Sequence, residues 1–144
     1  MKKLALFLVL FLFSVAAHAE LNRHEAHVVD LMTDGELRSL KIAARKIHDT
    51  KMSNPEVLDM AAEILLKNYP NVYKAQLDTF SWLVRAIGTS KNGRYHSAIQ
   101  EVVDTTHLKK LRRHAKKALK VLGPAGDAKQ YQLGDLGKEV PEYL

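Results

Sequence analysis

The sequence predicts an all-α fold in which five or six short helices pack antiparallel. Helix-forming residues, chiefly Ala, Leu, Lys and Glu, are plentiful, and no long segment alternates apolar with polar residues as a half-buried strand does. Apolar residues instead recur three and four positions apart, between local signals that start and stop helices. A short helix with one apolar stripe is stable only when that stripe is covered, so neighbouring helices must pack against each other.

The first nineteen residues have the three parts of a secretory signal peptide. Lys2 and Lys3 precede an apolar run, and the tripeptide AHA at 17–19 is a small-residue cleavage site before Glu20. The apolar run is shorter than the roughly 20 residues that a membrane-spanning helix needs. We therefore expect cleavage after residue 19, a mature chain without a transmembrane segment, and a periplasmic or secreted location.

The chain has no cysteine, so an exported domain built from it cannot use disulfide bonds. The mature chain is long enough to bury one core by apolar contacts alone. We divide the sequence into a signal peptide at 1–19, a helical domain at 20–123 and an irregular tail at 124–144, because Gly and Pro become frequent after residue 123. The candidates for fixing the tail to the domain are Tyr131, Leu133 and Tyr143.

Start and stop signals predict the first three helices. The first is predicted at 23–32, and Thr33 or Asp34 caps the second. The third begins with the tetrapeptide SNPE at 53–56, which combines a capping side chain, a proline in the first turn and an acid near the positive end of the helix dipole. Pro70 ends it, because proline disfavours helix in the residue before it. The apolar stripe of the second helix is Leu37, Leu40, Ala44 and Ile47.

The fourth helix is predicted at 72–87. Tyr73 and Phe80 belong to its buried stripe, and Gly88 follows as a residue that adopts the left-handed conformation at no steric cost. Trp82 lies off that stripe by two positions, so the sequence allows either a second packing edge or an exposed anchor at this residue.

The fifth helix is predicted at 94–104, and the sixth opens at Thr105 or Thr106. The Gly-Pro pair at 123–124 stops the sixth helix, because neither residue continues a helix well. Its apolar residues are spaced three and four apart, which predicts one buried side. They are Leu108, Leu111, Ala115, Ala118 and Leu122.

Three segments of the domain are alike: LRSLKIAARKI at 37–47, TFSWLVRAIG at 79–88 and LKKLRRHAKKALKVLG at 108–123. Each has an apolar stripe with small alanines and basic residues between, at intervals typical of helical solenoid repeats. The stretch LVRAIGTSKNGRYHSAIQEVV resembles the interior of a HEAT-like repeat, and the resemblance extends over 34–123. It implies a small HEAT-like α-solenoid with a binding or scaffold role and no named ligand. An ordinary bundle of five or six helices is the alternative.

The sixth predicted helix concentrates positive charge. From Glu20 onwards the chain has 20 basic and 16 acidic residues, a formal charge of +4. No acid stands between Asp104 and Asp127, and the seven cations in that interval exceed the whole excess, so the rest of the mature chain sums to −3. These cations are Lys109, Lys110, Arg112, Arg113, Lys116, Lys117 and Lys120. Four of them form one ridge at spacings of four, three and four, namely Lys109, Arg113, Lys116 and Lys120.

Unpaired like charges on one helix favour an anionic partner. For an exported protein we expect another protein with an acidic surface, or an anionic envelope component such as a phosphorylated glycolipid or a phospholipid headgroup. Nucleic acid is not favoured as a partner, because export separates the protein from nucleic acid and the sequence has no nucleic-acid recognition motif. A solvated helix face, or docking of the acidic tail against this helix, would explain the same charges without a partner.

The sequence offers few catalytic signals. The tetrapeptide HEAH at 24–27 differs from a zinc-protease signature, because its two histidines are three positions apart instead of four. His24 and His27 still leave a small metal-dependent hydrolase as an alternative. There is no nucleophile-elbow serine, phosphate-binding loop or cysteine nucleophile. We therefore predict a non-catalytic binding or scaffold protein without a cofactor, with a purely structural envelope subunit as a further alternative.

Overall fold

A computed structural model describes residues 20–143, and it confirms the predicted all-α fold. The predicted signal peptide lies outside the described residues. Within them there are six α-helices, two single-turn 3-10 helices at Tyr69–Asn71 and Gly93–Tyr95, and no β-strand. The α-helices are α1 (Arg23–Thr33), α2 (Leu37–Thr50), α3 (Pro55–Asn68), α4 (Leu77–Thr89), α5 (His96–Thr105) and α6 (Lys109–Leu122).

The six helices form two layers. In one layer α3 contacts both α1 and α5, and in the other α4 packs between α2 and α6. The second layer is parallel: Lys41 and Asp78, near the starts of α2 and α4, form an ion pair at 2.6 Å. Gly88 likewise lies against Ala118, with both residues towards the ends of their helices. Successive helices therefore alternate between the two layers. The assignment of these helices to HEAT-like repeats stays a prediction.

α3 is the most enclosed helix. Asn54 caps it by accepting a hydrogen bond from the backbone nitrogen of Glu56 at 3.0 Å, and Pro55 occupies the first turn, which confirms the predicted start. Ten of its residues are buried, including the polar Glu63 and Asn68. Such wide burial requires cover on the side that faces away from the other helices, and the tail provides it.

Residues 124–143 contain no helix and fold back over α3. The Tyr131 hydroxyl donates to Oε2 of Glu63 at 2.5 Å, and the Tyr143 hydroxyl donates to the carbonyl oxygen of Met32 at 2.6 Å. Both tyrosines are buried, whereas Leu133 is exposed. Two of the three candidate anchors therefore hold the tail against the domain.

Two acidic residues of the tail are directed to α3, and a third bonds within the tail. Glu139 and Glu142 lie 3.0 and 3.9 Å from the ammonium of Lys67, and Asp135 accepts a hydrogen bond from the backbone nitrogen of Gln132. Within residues 20–143, no ion pair or hydrogen bond joins a tail carboxylate to a cation of α6. Docking of the tail therefore does not account for the charge of α6.

The start of α4 differs from the prediction. The helix begins at Leu77, not at residue 72, because Gln76 closes a turn by accepting a hydrogen bond from the backbone nitrogen of Tyr73 at 2.7 Å. Tyr73 is consequently 66% exposed, and the expectation that it is buried is wrong.

The end of α4 also differs, because Gly88 lies inside the helix and is buried. The left-handed residue of this turn is Lys91, with φ of 52°. A Cβ atom at Gly88 would lie 2.9 Å from the Cβ of Ala118. The glycine is therefore required by the close packing of α4 against α6, and its predicted role as a left-handed helix terminator is wrong.

Candidate anion-binding face

α6 presents its cationic ridge directly away from the core. Its buried residues, Leu111, Ala115, Ala118 and Leu122, lie on one side of the helix, as the sequence predicted, whereas Leu108 precedes the helix and is half-buried. With about 3.6 residues per turn, the ridge projects from the opposite side. All four ridge residues are exposed, namely Lys109, Arg113, Lys116 and Lys120.

Arg112 has a structural role between α5 and α6. Its half-buried guanidinium donates from Nε to the carbonyl oxygen of Val103 at 3.1 Å, and from Nη2 to that of Thr106. These carbonyls lie at the C-terminal end of α5, where internal donors are lacking and a cation is favourable. α5 extends to Thr105, and the Thr106 hydroxyl accepts from the backbone nitrogen of Leu108, so α6 begins later than predicted. The other six predicted cations are exposed: Lys109, Lys110, Arg113, Lys116, Lys117 and Lys120.

The positive surface continues from α6 across α4 to α2. On α4, Trp82 and Arg85 are half-buried on the solvent side of the helix. Basic residues of α2 lie along one side of this pair, and basic residues of α6 lie along the other. We call this surface the basic face; it comprises Lys41, Arg45, His48, Trp82, Arg85, Lys110, His114 and Lys117.

Trp82 is the centre of the basic face. The guanidinium carbon of Arg85 lies 4.0 Å from the centroid of its indole ring, and that of Arg45 lies 5.3 Å away. The imidazole of His48 meets the indole edge-on, with centroids 5.4 Å apart. Each cation–π contact contributes about 0.5–1 kcal/mol at an exposed site. Trp82 thus restricts two arginines. It is half-buried and packs against the core, so of the two alternatives that its sequence position allowed, the second packing edge is the one observed.

A cleft lies beside Arg85, where α2, α4 and α6 meet. Its volume is about 190 Å³. Close packing of Gly88 on Ala118 brings α4 and α6 together at this point. The lining residues are His48, Arg85, Thr89, His114, Lys117, Ala118 and Val121.

Two carboxylates border the basic face, and each pairs with a residue of α2. Asp78 has a lowered pKa, chiefly because Lys41 bonds to it at 2.6 Å, with smaller effects of the same sign from Lys110 and His114. Asp49 lies 2.9 Å from Nδ1 of His48. Because a carboxylate only accepts, Nδ1 must carry the proton in this contact, which leaves Nε2 for another partner.

His114 lies in a cationic environment. Burial lowers its pKa below the ordinary 6.5, and neighbouring cations lower it further. The imidazole is therefore neutral near pH 7, although an anion placed beside it would favour its protonation. The neighbouring cations are Arg85, Arg113, Lys110 and Lys117.

His24 and His27 are both exposed on α1. Glu25, between them, is bonded to Asn22 and Asn54. In the described part of the chain, no group of three or more His, Cys, Asp or Glu side chains is placed to hold a metal ion.

The sequence patterns did not predict that residues of α2 and α4 belong to the basic face. Lys41, Arg45 and His48 are spaced four and three apart, which is a ridge of the same kind as the one on α6. That spacing was the available signal. Its significance depends on α4 lying between α2 and α6, which the local pattern does not specify.

Comparison of the chain with protein-family models, with curated proteins and with solved structures finds no match. Among residues 20–143, no helix combines the length and apolar character needed to span a membrane.

Proposed function

We propose that the protein is an exported, non-catalytic binding protein that holds an acidic macromolecule or an anionic envelope component on the basic face and the adjoining ridge of α6. The single observation that carries the proposal is the exposure of six α6 cations with no carboxylate of residues 20–143 bonded to any of them. Crowded like charges destabilise a helix by a few tenths of a kcal/mol per pair, and a bound anion removes that cost.

The predicted signal peptide limits the anions that the protein would meet. An exported protein meets acidic proteins, anionic phospholipids and phosphorylated glycolipids, and it seldom meets nucleic acid. A basic surface of this extent also accelerates encounters with such partners by long-range attraction.

Retention from the native envelope tests the proposal. Protein expressed from the full sequence is immobilised, and partners retained at low and at high salt are identified by mass spectrometry. Exposed charges are largely screened at about 1 M salt, where the Debye length is about 3 Å. The expected result is an acidic partner that is retained at low salt and released at high salt.

A charge-reversal variant makes the test specific. In the triple variant Lys109→Glu, Arg113→Glu and Lys116→Glu, affinity should fall by about tenfold or more, because attraction becomes repulsion. The matched control reverses three exposed lysines outside both the basic face and the ridge of α6, Lys74, Lys129 and Lys138, and should retain the partner. Retention that is insensitive to salt and equal in both variants would contradict the proposal and favour the purely structural subunit.

A further inference from the structure

The cleft between α2, α4 and α6 has the composition of a site for a small dianion. Arg85 supplies a guanidinium and Lys117 an ammonium, both permanently charged near neutral pH, and two imidazoles stand beside them. No carboxylate is among the lining residues. The apolar part of the wall comes from Ala118 and Val121.

The size of the cleft limits what it can hold. Its volume of about 190 Å³ corresponds to about six waters at their liquid volume. A tetrahedral group of five non-hydrogen atoms fits that space, whereas the bulk of a larger molecule has to remain outside. Val121, which is half exposed, offers an apolar rim to the carbon atoms next to such a group.

We propose that this cleft binds the phosphate group of a phosphomonoester. The inference rests on the proposed function, for which it names the recognised chemistry. A phosphomonoester dianion balances the two charges of Arg85 and Lys117, whereas a carboxylate leaves one of them unbalanced. The forked N–H donors of a guanidinium also match two oxygens of a tetrahedral anion, and the ammonium is a point charge beside them.

Arg85 is prepared for such a ligand. Its guanidinium carbon lies 4.0 Å from the centroid of the Trp82 ring, and this contact restricts the guanidinium. Within residues 20–143 the N–H groups of this guanidinium donate to no other side chain or carbonyl, in contrast to those of Arg112 and Arg94. Little conformational entropy is therefore lost when they bind an anion.

His114 adds a proton-linked contribution. A dianion in the cleft offsets the cations around the imidazole and favours its protonation, so a dianion of fixed charge should bind more tightly as the pH is lowered. The charged and titratable groups around His114 are Lys110, Arg113 and Lys117 on α6, Asp78 and Arg85 on α4, and His48 with Asp49 on α2.

Fluorescence of Trp82, the single tryptophan of the chain, reports on the cleft because Arg85 lies on its ring. The full-length protein is titrated at constant ionic strength with inorganic phosphate, with sulfate as a dianion whose charge does not change between pH 5 and 8, and with acetate. We expect a saturable signal for phosphate and sulfate and none for acetate. Sulfate affinity should rise as pH is lowered, and His114→Gln should abolish that rise. An equal response to acetate, or no saturable response to phosphate, would overturn the proposal.

Adjacent lysines of α6 provide a matched pair of variants. Lys117 lines the cleft and Lys116 does not, although both are exposed and next to each other in sequence. Lys117→Gln should weaken phosphate binding by about tenfold, the value of one hydrogen bond to a charged group. Lys116→Gln should leave it within about twofold. Equal effects of the two variants would show that diffuse charge, and not the cleft, binds the anion.

Two probes identify the source of the phosphate group. Glycerol phosphate represents a soluble ester, and phosphatidic acid in phosphatidylcholine vesicles represents a lipid headgroup. Binding of either probe that is weakened by Lys117→Gln supports the proposal and names the source. Inorganic phosphate binding without binding of either ester would overturn it.

The experiments can reject phosphate binding in the cleft and the proposed function independently of each other. Salt-sensitive retention of an envelope partner without any phosphate signal at Trp82 would reject the cleft and leave the proposed function in place. Phosphate binding that depends on Lys117, without any acidic partner from the envelope, would reject the proposed function and leave the cleft.

Discussion

Gly88 of α4 lies so close to Ala118 of α6 that a Cβ atom on the glycine would be 2.9 Å from the alanine Cβ, 3.0 Å from its Cα and 3.1 Å from its carbonyl oxygen. Two of these three neighbours are backbone atoms, which cannot rotate away. This contact sets the distance between α4 and α6 where Arg85 and Lys117 line the cleft. The packing of the layer therefore determines the geometry of the cleft on the basic face.

Gly88→Ala should reduce the free energy of unfolding by about 1–2 kcal/mol, measured by urea denaturation. Alanine gains up to about 1 kcal/mol over glycine in a helix, but overpacking costs about 1–3 kcal/mol, and the backbone of Ala118 cannot yield easily. Adding Ala118→Gly to this variant removes the nearest atom and should recover part of the loss. A stabilised Gly88→Ala protein would contradict the close approach.

Local signals of the sequence were sufficient for much of the fold. The capping asparagine and first-turn proline of α3 act through atoms within a few residues of each other, so the start of that helix was predictable. The buried side of α6 was predictable for the same reason, because three- and four-residue spacing fixes which side chains share a face.

Relationships between distant segments were not predictable in this way. Gly88 follows an apolar stripe like a helix terminator, and only the position of Ala118 shows that its lack of a side chain serves packing. The spacing of Arg112 assigns it to the charged surface, yet its guanidinium donates a hydrogen bond to a carbonyl oxygen at the end of α5. The place of Trp82 between arginines of two helices likewise depends on the order of helices in the layer.

Tyr131→Phe should lower the free energy of unfolding by about 1–3 kcal/mol, because it leaves a buried carboxylate with one donor fewer. Glu63 accepts from the Tyr131 hydroxyl at 2.5 Å and otherwise from the backbone nitrogen of Gly134. Tyr73→Phe is the matched control, since its ring is exposed, and should change stability by less than about 0.5 kcal/mol. Equal stabilities of the two variants would mean that the tail is not held by this contact.

Arg112→Gln should destabilise the protein without weakening anion binding. The variant removes a cationic donor to the carbonyl oxygens of Val103 and Thr106, and a hydrogen bond from a charged group contributes about 1.5–3 kcal/mol. Thermal unfolding and retention of the envelope partner are measured side by side, with Lys74→Gln as the exposed control outside the proposed binding surface. A loss of binding at unchanged stability would place Arg112 on the binding surface and refute its structural role.

Acidification should destabilise the folded protein through His114, because its environment lowers the pKa of this imidazole. Burial is the largest cause and nearby cations add to it, so the pKa of the folded state lies below the ordinary 6.5. The unfolded chain then binds a proton at higher pH than the folded one, and the free energy of unfolding decreases as pH falls. The loss begins near pH 6.5 and is complete once the pH has passed below the folded-state pKa.

His114→Gln should therefore lose less stability than the wild type between about pH 7.5 and pH 5, because glutamine has no proton to gain in this range. His27→Gln is the matched control, since His27 is exposed on α1, and its stability should follow that of the wild type. Urea denaturation at several pH values measures the difference at low ionic strength, where the cations around His114 are least screened. Saturating sulfate should shrink the acid-induced loss in the wild type, because a dianion in the cleft stabilises the protonated imidazole. An identical pH dependence in wild type and His114→Gln would show that the cationic environment of the cleft has no energetic consequence for this histidine.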